Sequence, residues 1–147
     1  YQIHGVDGKT VTQKWQNGLA TFHGMHSRGF PNAFFFGPAQ SGFTATYTYS
    51  LDEQSIHLAY ILEKIIDKGA TRVEASQEAE EQWIQTIIEK ARLTADFQEN
   101  CTPGYYNNEG KINQTPQNNT YGGGPIEFFS LMKKWRSKDS LEGLEIN

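Results

Sequence analysis

His4, His23, His26 and His57 are the imidazoles of the chain, and Cys101 is its one thiol. None of the histidines stands at metal-ligand spacing from the cysteine or from a carboxylate, so they read as surface or hydrogen-bonded side chains rather than ligands. No Gly-x-Ser-x-Gly element and no Cys-His pair in a catalytic context is present, which leaves nucleophilic catalysis without a candidate. Cys101, beside Thr102-Pro103, reads as a small buried or loop residue. The dinucleotide fingerprint G-x-G-x-x-G is absent, and Gly122-Gly123-Gly124-Pro125 does not follow a strand as that motif requires. The informative unit is Gly37-Pro38-Ala39-Gln40-Ser41-Gly42-Phe43-Thr44-Ala45-Thr46-Tyr47-Thr48-Tyr49. Set between an apolar run and a helix, it would aim free backbone donors at one point and suit an electron-rich ligand. An ordinary crossover connection fits the same residues.

Thr21 to Met25 and Ala33 to Phe36 are strand candidates, the second apolar at consecutive positions as in a strand buried on both faces. A helix is expected over Ser50 to Lys68: Ser50 and Glu53 form a capping-box pattern, Leu51, Leu58, Leu62 and Ile65 make a stripe, and Gly69 closes it. A second helix spans about Ser76 to Leu93, with Ala79, Trp83, Ile87 and Ala91 at helical spacing. From Asp96 to Gly124 there is no periodicity, which predicts a long irregular loop of functional character. Pro125 then opens a third helix in which Phe128, Leu131, Met132 and Trp135 share a face. Residues 1–19 read as turns, with a brief strand at Thr10-Val11-Thr12 and at most a helical turn around Gln13 to Gln16.

Composition narrows the partners. Lys plus Arg number 13 against 17 Asp plus Glu, a formal charge of -4, and no basic run tracks phosphates, so nucleic acid is not expected. No apolar run approaches the roughly 20 residues of a membrane span. A single cysteine excludes an internal disulfide and makes a reducing, cytoplasmic setting the simplest expectation. The chain begins at Tyr1 without Met or a leader, which suggests an excerpt, and such a piece would expose apolar faces around Phe34 to Phe36 and Trp83.

The string RGFPNAFFFGPAQSGF, Arg28 to Phe43, resembles a late segment of Baeyer-Villiger monooxygenases. Around it, in the family's order, stand DGKTVTQKW, Thr21-Phe22-His23-Gly24, SLDEQSIHLAYIL, the helix with Ala79, Glu80 and Trp83, CTPGYYNNEGK and YGGGPIEFF. The resemblance covers nearly the whole chain. It implies an FAD- and NADPH-dependent enzyme that inserts oxygen from O2 into ketones to give esters or lactones. This chain would be its C-terminal part, an α/β fragment inactive alone. Terminal strands of a flavin-binding domain (1–49) would lead into a helical region (50–147) with a mobile lid at about 96–124. The glycine fingerprints and the catalytic arginine would lie in FAD- and NADP-binding domains upstream of Tyr1. Residue by residue, the resemblance puts Gly37 and Pro38 in the loop passing the flavin, and Thr46, Tyr47 and Thr48 at its pyrimidine edge. Ser41, Gly42, Phe43 and Thr44 fall on the bulge lining the substrate cavity, and Cys101 to Lys111 on a loop folding over the nicotinamide. There Gly104-Tyr105 replaces the Trp-Tyr of many members, leaving Tyr105 or Tyr106 to make the nicotinamide contact, and Ile112 to Thr120 lacks a Lys-Pro-Arg element. Nitrogen- or sulfur-oxidising flavin monooxygenases share the same chemistry, and a non-catalytic binding domain of the same descent is the reading from another class.

Overall fold

A computed structural model describes residues 1–100, 102 and 115–147, and for 92–100 the backbone alone. The chain forms a small mixed α/β unit. In order come α1 (Val11–Lys14), α2 (Tyr47–Asp67), β1 (Val73–Ala75), α3 (Gln77–Asn100), a 3-10 turn (Pro116–Asn118), α4 (Gly124–Ser137) and β2 (Leu144–Ile146). The two strands pair antiparallel, Val73 opposite Ile146 and Ala75 opposite Leu144.

α3 and α4 form where apolar spacing and helix starts agree. The Ser76 hydroxyl accepts the Ala79 N–H at 3.1 Å, and Trp83, Ile87 and Ala91 are buried. Pro125 stands in the first turn of α4, which buries Phe128, Phe129, Met132 and Trp135. With Ile61 and Ile65 of α2, Val73, Ala75, Tyr121 and Leu141, these make the apolar core. Fully burying each such side chain contributes about 1.5–3 kcal/mol. Trp83 lies inside this core, 5% exposed, and is not part of an open apolar face.

Elsewhere the structure departs from the sequence expectations. Neither Thr21–Met25 nor Ala33–Phe36 is a strand. The first segment reverses tightly, with Phe22 and His26 exchanging backbone hydrogen bonds of 2.7 and 3.1 Å and with His23 and Gly24 at φ 57° and 71°. Residues 33–35 are half-buried and Phe36 is exposed, and among the described residues no neighbouring strand supplies a ladder to this segment. Thr10-Val11-Thr12 is likewise no strand: Thr10 caps α1 through a reciprocal box with Gln13.

α2 begins at Tyr47, so Ser50 lies inside it and is no cap. Its hydroxyl is buried and accepts the Thr44 N–H at 3.3 Å. The buried stripe is Ser50, Gln54, His57, Ile61 and Ile65, while Leu62 is exposed. Ile65 is buried as expected, but Ser50, His57 and Ile61 take the buried places one residue before Leu51, Leu58 and Leu62, because the covered side of α2 carries polar groups that meet the loop before it. Gly69, at φ 65°, follows the helix as expected. α3 runs on to Asn100, into the stretch read as irregular, and the proposed division at 49/50 falls inside α2.

Candidate functional site

Loop 37–46 and the first turn of α2 hold nine of the ten residues proposed for the site; the tenth, Tyr105, and most of the Cys101–Lys111 loop lie outside the described residues. The structure divides the nine. Ser41 and Gly42 are buried, Gly37 and Thr44 are half-buried, and Pro38, Phe43, Thr46, Tyr47 and Thr48 are exposed.

The buried members are scaffold. The Ser41 hydroxyl donates to the Gly37 carbonyl at 2.5 Å, and Gln54 Nε2, from α2, donates to that carbonyl and to Ser41 Oγ, each at 2.9 Å. Ser41 therefore spends its hydroxyl inside the loop and presents none to a cavity. A side chain at Gly42 would come within 2.8 Å of the Phe128 ring, so only glycine lets the loop lie flat on α4. Tyr121 N–H donates to the Ser41 carbonyl at 3.0 Å.

Two of the exposed members share a surface. Phe43 and Tyr47 have ring centroids 6.0 Å apart. Thr46 occupies the N-cap without offering a side-chain acceptor, its own carbonyl being met by Thr44 Oγ1 at 2.6 Å. The first-turn N–H groups thus lack the usual capping partner, and the helix dipole leaves partial positive charge there. Beside them Thr44, Tyr49, Pro125, Ile126, Phe129 and Lys133 line a cleft of about 160 Å³. Sequence reasoning noted YGGGPIEFF but gave Pro125, Ile126 and Phe129 no place beside the loop, because their nearness to Thr44 and Tyr49 is nonlocal.

Behind the loop sits a second polar feature, an imidazole cluster. The rings of His23 and His57 lie 5.5 Å apart, and both pack edge-on or tilted against Trp135. Burial lowers His26 to about 4. Burial, then the charges of Arg136 and His26, lower His57 to about 3. His23 is held well below its ordinary value by burial, then by His57 and His26. All three are neutral near pH 7, and Arg136 donates to His57 Nδ1 at 3.2 Å, which places the remaining proton on Nε2. Among the described residues no three His, Cys, Asp or Glu side chains are grouped to hold a metal ion.

The geometry can be set beside that of known proteins. No protein-family model matches the chain. A solved polycyclic ketone monooxygenase from Thermothelomyces thermophila superposes with a TM-score of 0.92 at 33% identity, covering 99% of this chain and 24% of that one. A steroid monooxygenase bound to NADP shares the fold at TM-score 0.76 and 18% identity, over 99% of this chain and 26% of its own. Neopentalenolactone D synthase of Streptomyces avermitilis is 44% identical over 147 residues, 99% of this chain and 25% of the relative. A Baeyer-Villiger monooxygenase of Stachybotrys chlorohalonatus is 38% identical over 99% of this chain and 24% of its own length. Three fungal relatives at 34–35% identity bear the name FAD-binding monooxygenase. The relatives are flavin-dependent monooxygenases, Baeyer-Villiger types among them, and this chain matches one segment of them, spanning about a quarter of the length of the curated relatives.

Proposed function

We propose that this chain forms one wall of the flavin and substrate chamber of an NADPH-dependent monooxygenase that inserts oxygen from O2 into a ketone, giving an ester or lactone. The observation that carries the reading is the exposed, uncapped start of α2 behind an internally fixed loop. FAD, reduced by NADPH, would supply the oxygen chemistry. The backbone of Thr46, Tyr47 and Thr48 would meet the flavin's electron-rich pyrimidine edge, where free N–H groups and a helix N-terminus favour negative charge. Gly37 and Pro38 would pass beside the ring, and Phe43 and Thr44 would face the ketone. Ser41 and Gly42 serve that wall from behind. In this reading residues 1–49 complete a flavin-binding domain and 50–147 make the helical region that covers it, while Tyr105 is assigned to the nicotinamide side by resemblance alone. By itself the chain would neither retain FAD nor oxidise NADPH.

The test uses the complete monooxygenase carrying this segment. Phe43→Ala should change the ratio of kcat/KM between a bulky and a small ketone in favour of the bulky one, with FAD content unchanged. Removing an apolar wall of that size shifts discrimination by about 1–3 kcal/mol. An unaltered ratio in folded, flavin-loaded enzyme takes Phe43 out of the chamber and refutes the assignment of this face.

A further inference from the structure

We propose that Gln40, which touches neither substrate nor cofactor in the reading above, is the residue that positions the Ser41–Thr44 wall and thereby sets ketone selectivity. The inference rests on that reading.

Gln40 has no exposed surface and sits at φ 55°, in the left-handed region that side chains other than Gly, Asn and Asp seldom adopt. A conformation held against that preference needs partners, and Gln40 has them on every polar group. Its Oε1 accepts from the Thr21 hydroxyl. Its Nε2 donates to the carbonyls of Leu19 at 2.9 Å and Gln117 at 2.8 Å. Its backbone N–H donates to Asn119 O at 2.9 Å, and its carbonyl accepts Trp83 Nε1 at 3.1 Å.

These partners come from three places distant in sequence: the 19–21 segment, α3 and the 117–119 turn. The same pieces are tied to each other, since Leu19 N–H donates to Asn118 Oδ1 at 2.7 Å and Gln117 Nε2 to Leu19 O at 2.8 Å. The 22–26 reversal also presses on this point: a Cβ at Gly24 would fall 2.9 Å from the Gln40 carbonyl. One fully satisfied amide therefore fixes the height at which the loop leaves the core, two buried residues before the chain turns outward at Phe43. A buried network with every member paired defines one geometry; with its hub removed, the stranded groups must re-pair and the loop moves. Nothing in the local sequence marks Gln40, because all its partners are nonlocal.

The experiment compares flavin-loaded variants of the complete monooxygenase by the ratio of kcat/KM for a bulky over a small ketone. That ratio is independent of how much enzyme is folded, so a merely structural role does not move it. Gln40→Leu, close in volume and devoid of the side-chain hydrogen bonds, should raise the ratio by about fivefold or more, in the direction of Phe43→Ala, with FAD content retained. Thr21→Val, which removes one bond to the hub, should raise it by about twofold. If Phe43→Ala moves the ratio and Gln40→Leu does not, the positioning role is overturned and the site reading stands. If Phe43→Ala leaves it unmoved, the site reading fails and this inference with it. Should Gln40→Leu yield no folded enzyme, Thr21→Val decides: an unchanged ratio overturns the proposal.

Discussion

Between Tyr1 and Thr46 the described chain contains a single helical turn, yet Thr21, His26, Ser27 and Gln40 are as deeply buried as Ile61, Ile87 and Phe128 in the helices that follow. The two regions are ordered by different forces. Beyond residue 46, helices satisfy their own backbone and pack apolar stripes: Trp83 stacks on Tyr121 at 5.7 Å, and both meet Phe128. Before it, irregular backbone is pinned by side chains reaching out of the helical half. Glu80, at 7% exposure, accepts Arg28 N–H at 2.7 Å, Ser27 Oγ at 3.2 Å and Lys14 Nζ at 2.8 Å. Glu74 accepts Gly29 N–H at 2.9 Å and Arg72 at 2.7 Å. Burial alone would raise the Glu74 carboxyl, but those hydrogen bonds and the charges of Arg28 and Arg72 hold it below its ordinary value. The backbone at residues 27–29, which has no helix or strand of its own, is thus held by a few directional contacts from buried carboxylates.

The sharpest way to break this contrast is to remove one pin. Glu80→Ala leaves the Lys14 charge with the Arg28 carbonyl in place of a carboxylate and takes the acceptor from the Arg28 N–H, in a buried setting. Losing one partner of such a buried pair costs about 3–5 kcal/mol. Urea unfolding should show that loss, and amide exchange should rise selectively over residues 14–30 while α3 and α4 keep their protection. Uniform acceleration across the whole chain would mean that the two regions are one cooperative unit with no division of forces.

A smaller effect comes from the histidines. His23 and His26 belong to the irregular region and His57 to α2, and their buried Nδ1, Nε2 and Nε2 atoms respectively have no hydrogen-bond partner among the described residues. Because the folded values lie below the unfolded 6.5, the unfolded chain takes up protons first as pH falls. Stability is therefore full above about pH 6.5 and declines as pH falls toward about 4, where His26 charges in the folded state, with His57 continuing to about 3. The slope is about 1.4 kcal/mol per pH unit for each histidine. Glu74 acts with the same sign but lower on the scale, its contribution being lost as pH falls through its depressed folded value. His26→Gln should flatten the decline between pH 6 and 4.5, whereas a stability that is level across that range would show that the cluster hydrates and titrates freely.

The same division of forces decides what was legible in the sequence. α3 and α4 were, because Ala79, Trp83, Ile87 and Ala91, and Phe128, Met132 and Trp135, repeat at helical spacing behind a Ser or Pro start. α2 was found with its face turned, since Gln54 and His57 look like surface residues until their partners Gly37, Ser41 and Arg136 are known. β1 and β2 are three residues each, too short for alternation to register. Ala33 to Phe36 imitated a buried strand because hydrophobicity records that rings are covered and not how. The loop-to-helix pattern and its family likeness pointed to Phe43 and Thr46–Thr48, which the structure exposes around the start of α2. Gln40 and Glu80 were not, because their hydrogen bonds span tens of residues.

The smallest effect falls on α1, and it bears on why a four-residue helix exists at all. One turn is far below the length at which helices are stable in water, so its own hydrogen bonds cannot justify it. What α1 does is deliver Lys14, whose Nζ reaches Glu80 at 2.8 Å and the Arg28 carbonyl at 2.5 Å. Thr10 and Gln13 hold that turn by the reciprocal box, Gln13 N–H donating to Thr10 Oγ1 at 3.1 Å and Thr10 N–H to Gln13 Oε1 at 2.8 Å. Thr10→Ala should cost about 1 kcal/mol as a lost cap. If the cap works by aiming Lys14, that cost must shrink once Lys14→Met has removed what is aimed. A double-mutant cycle in urea should then give a coupling of about 0.5 kcal/mol or more between positions with no direct side-chain contact. Additivity within about 0.3 kcal/mol would instead make α1 an independent surface turn and remove Lys14 from the set of pins that orders the irregular half.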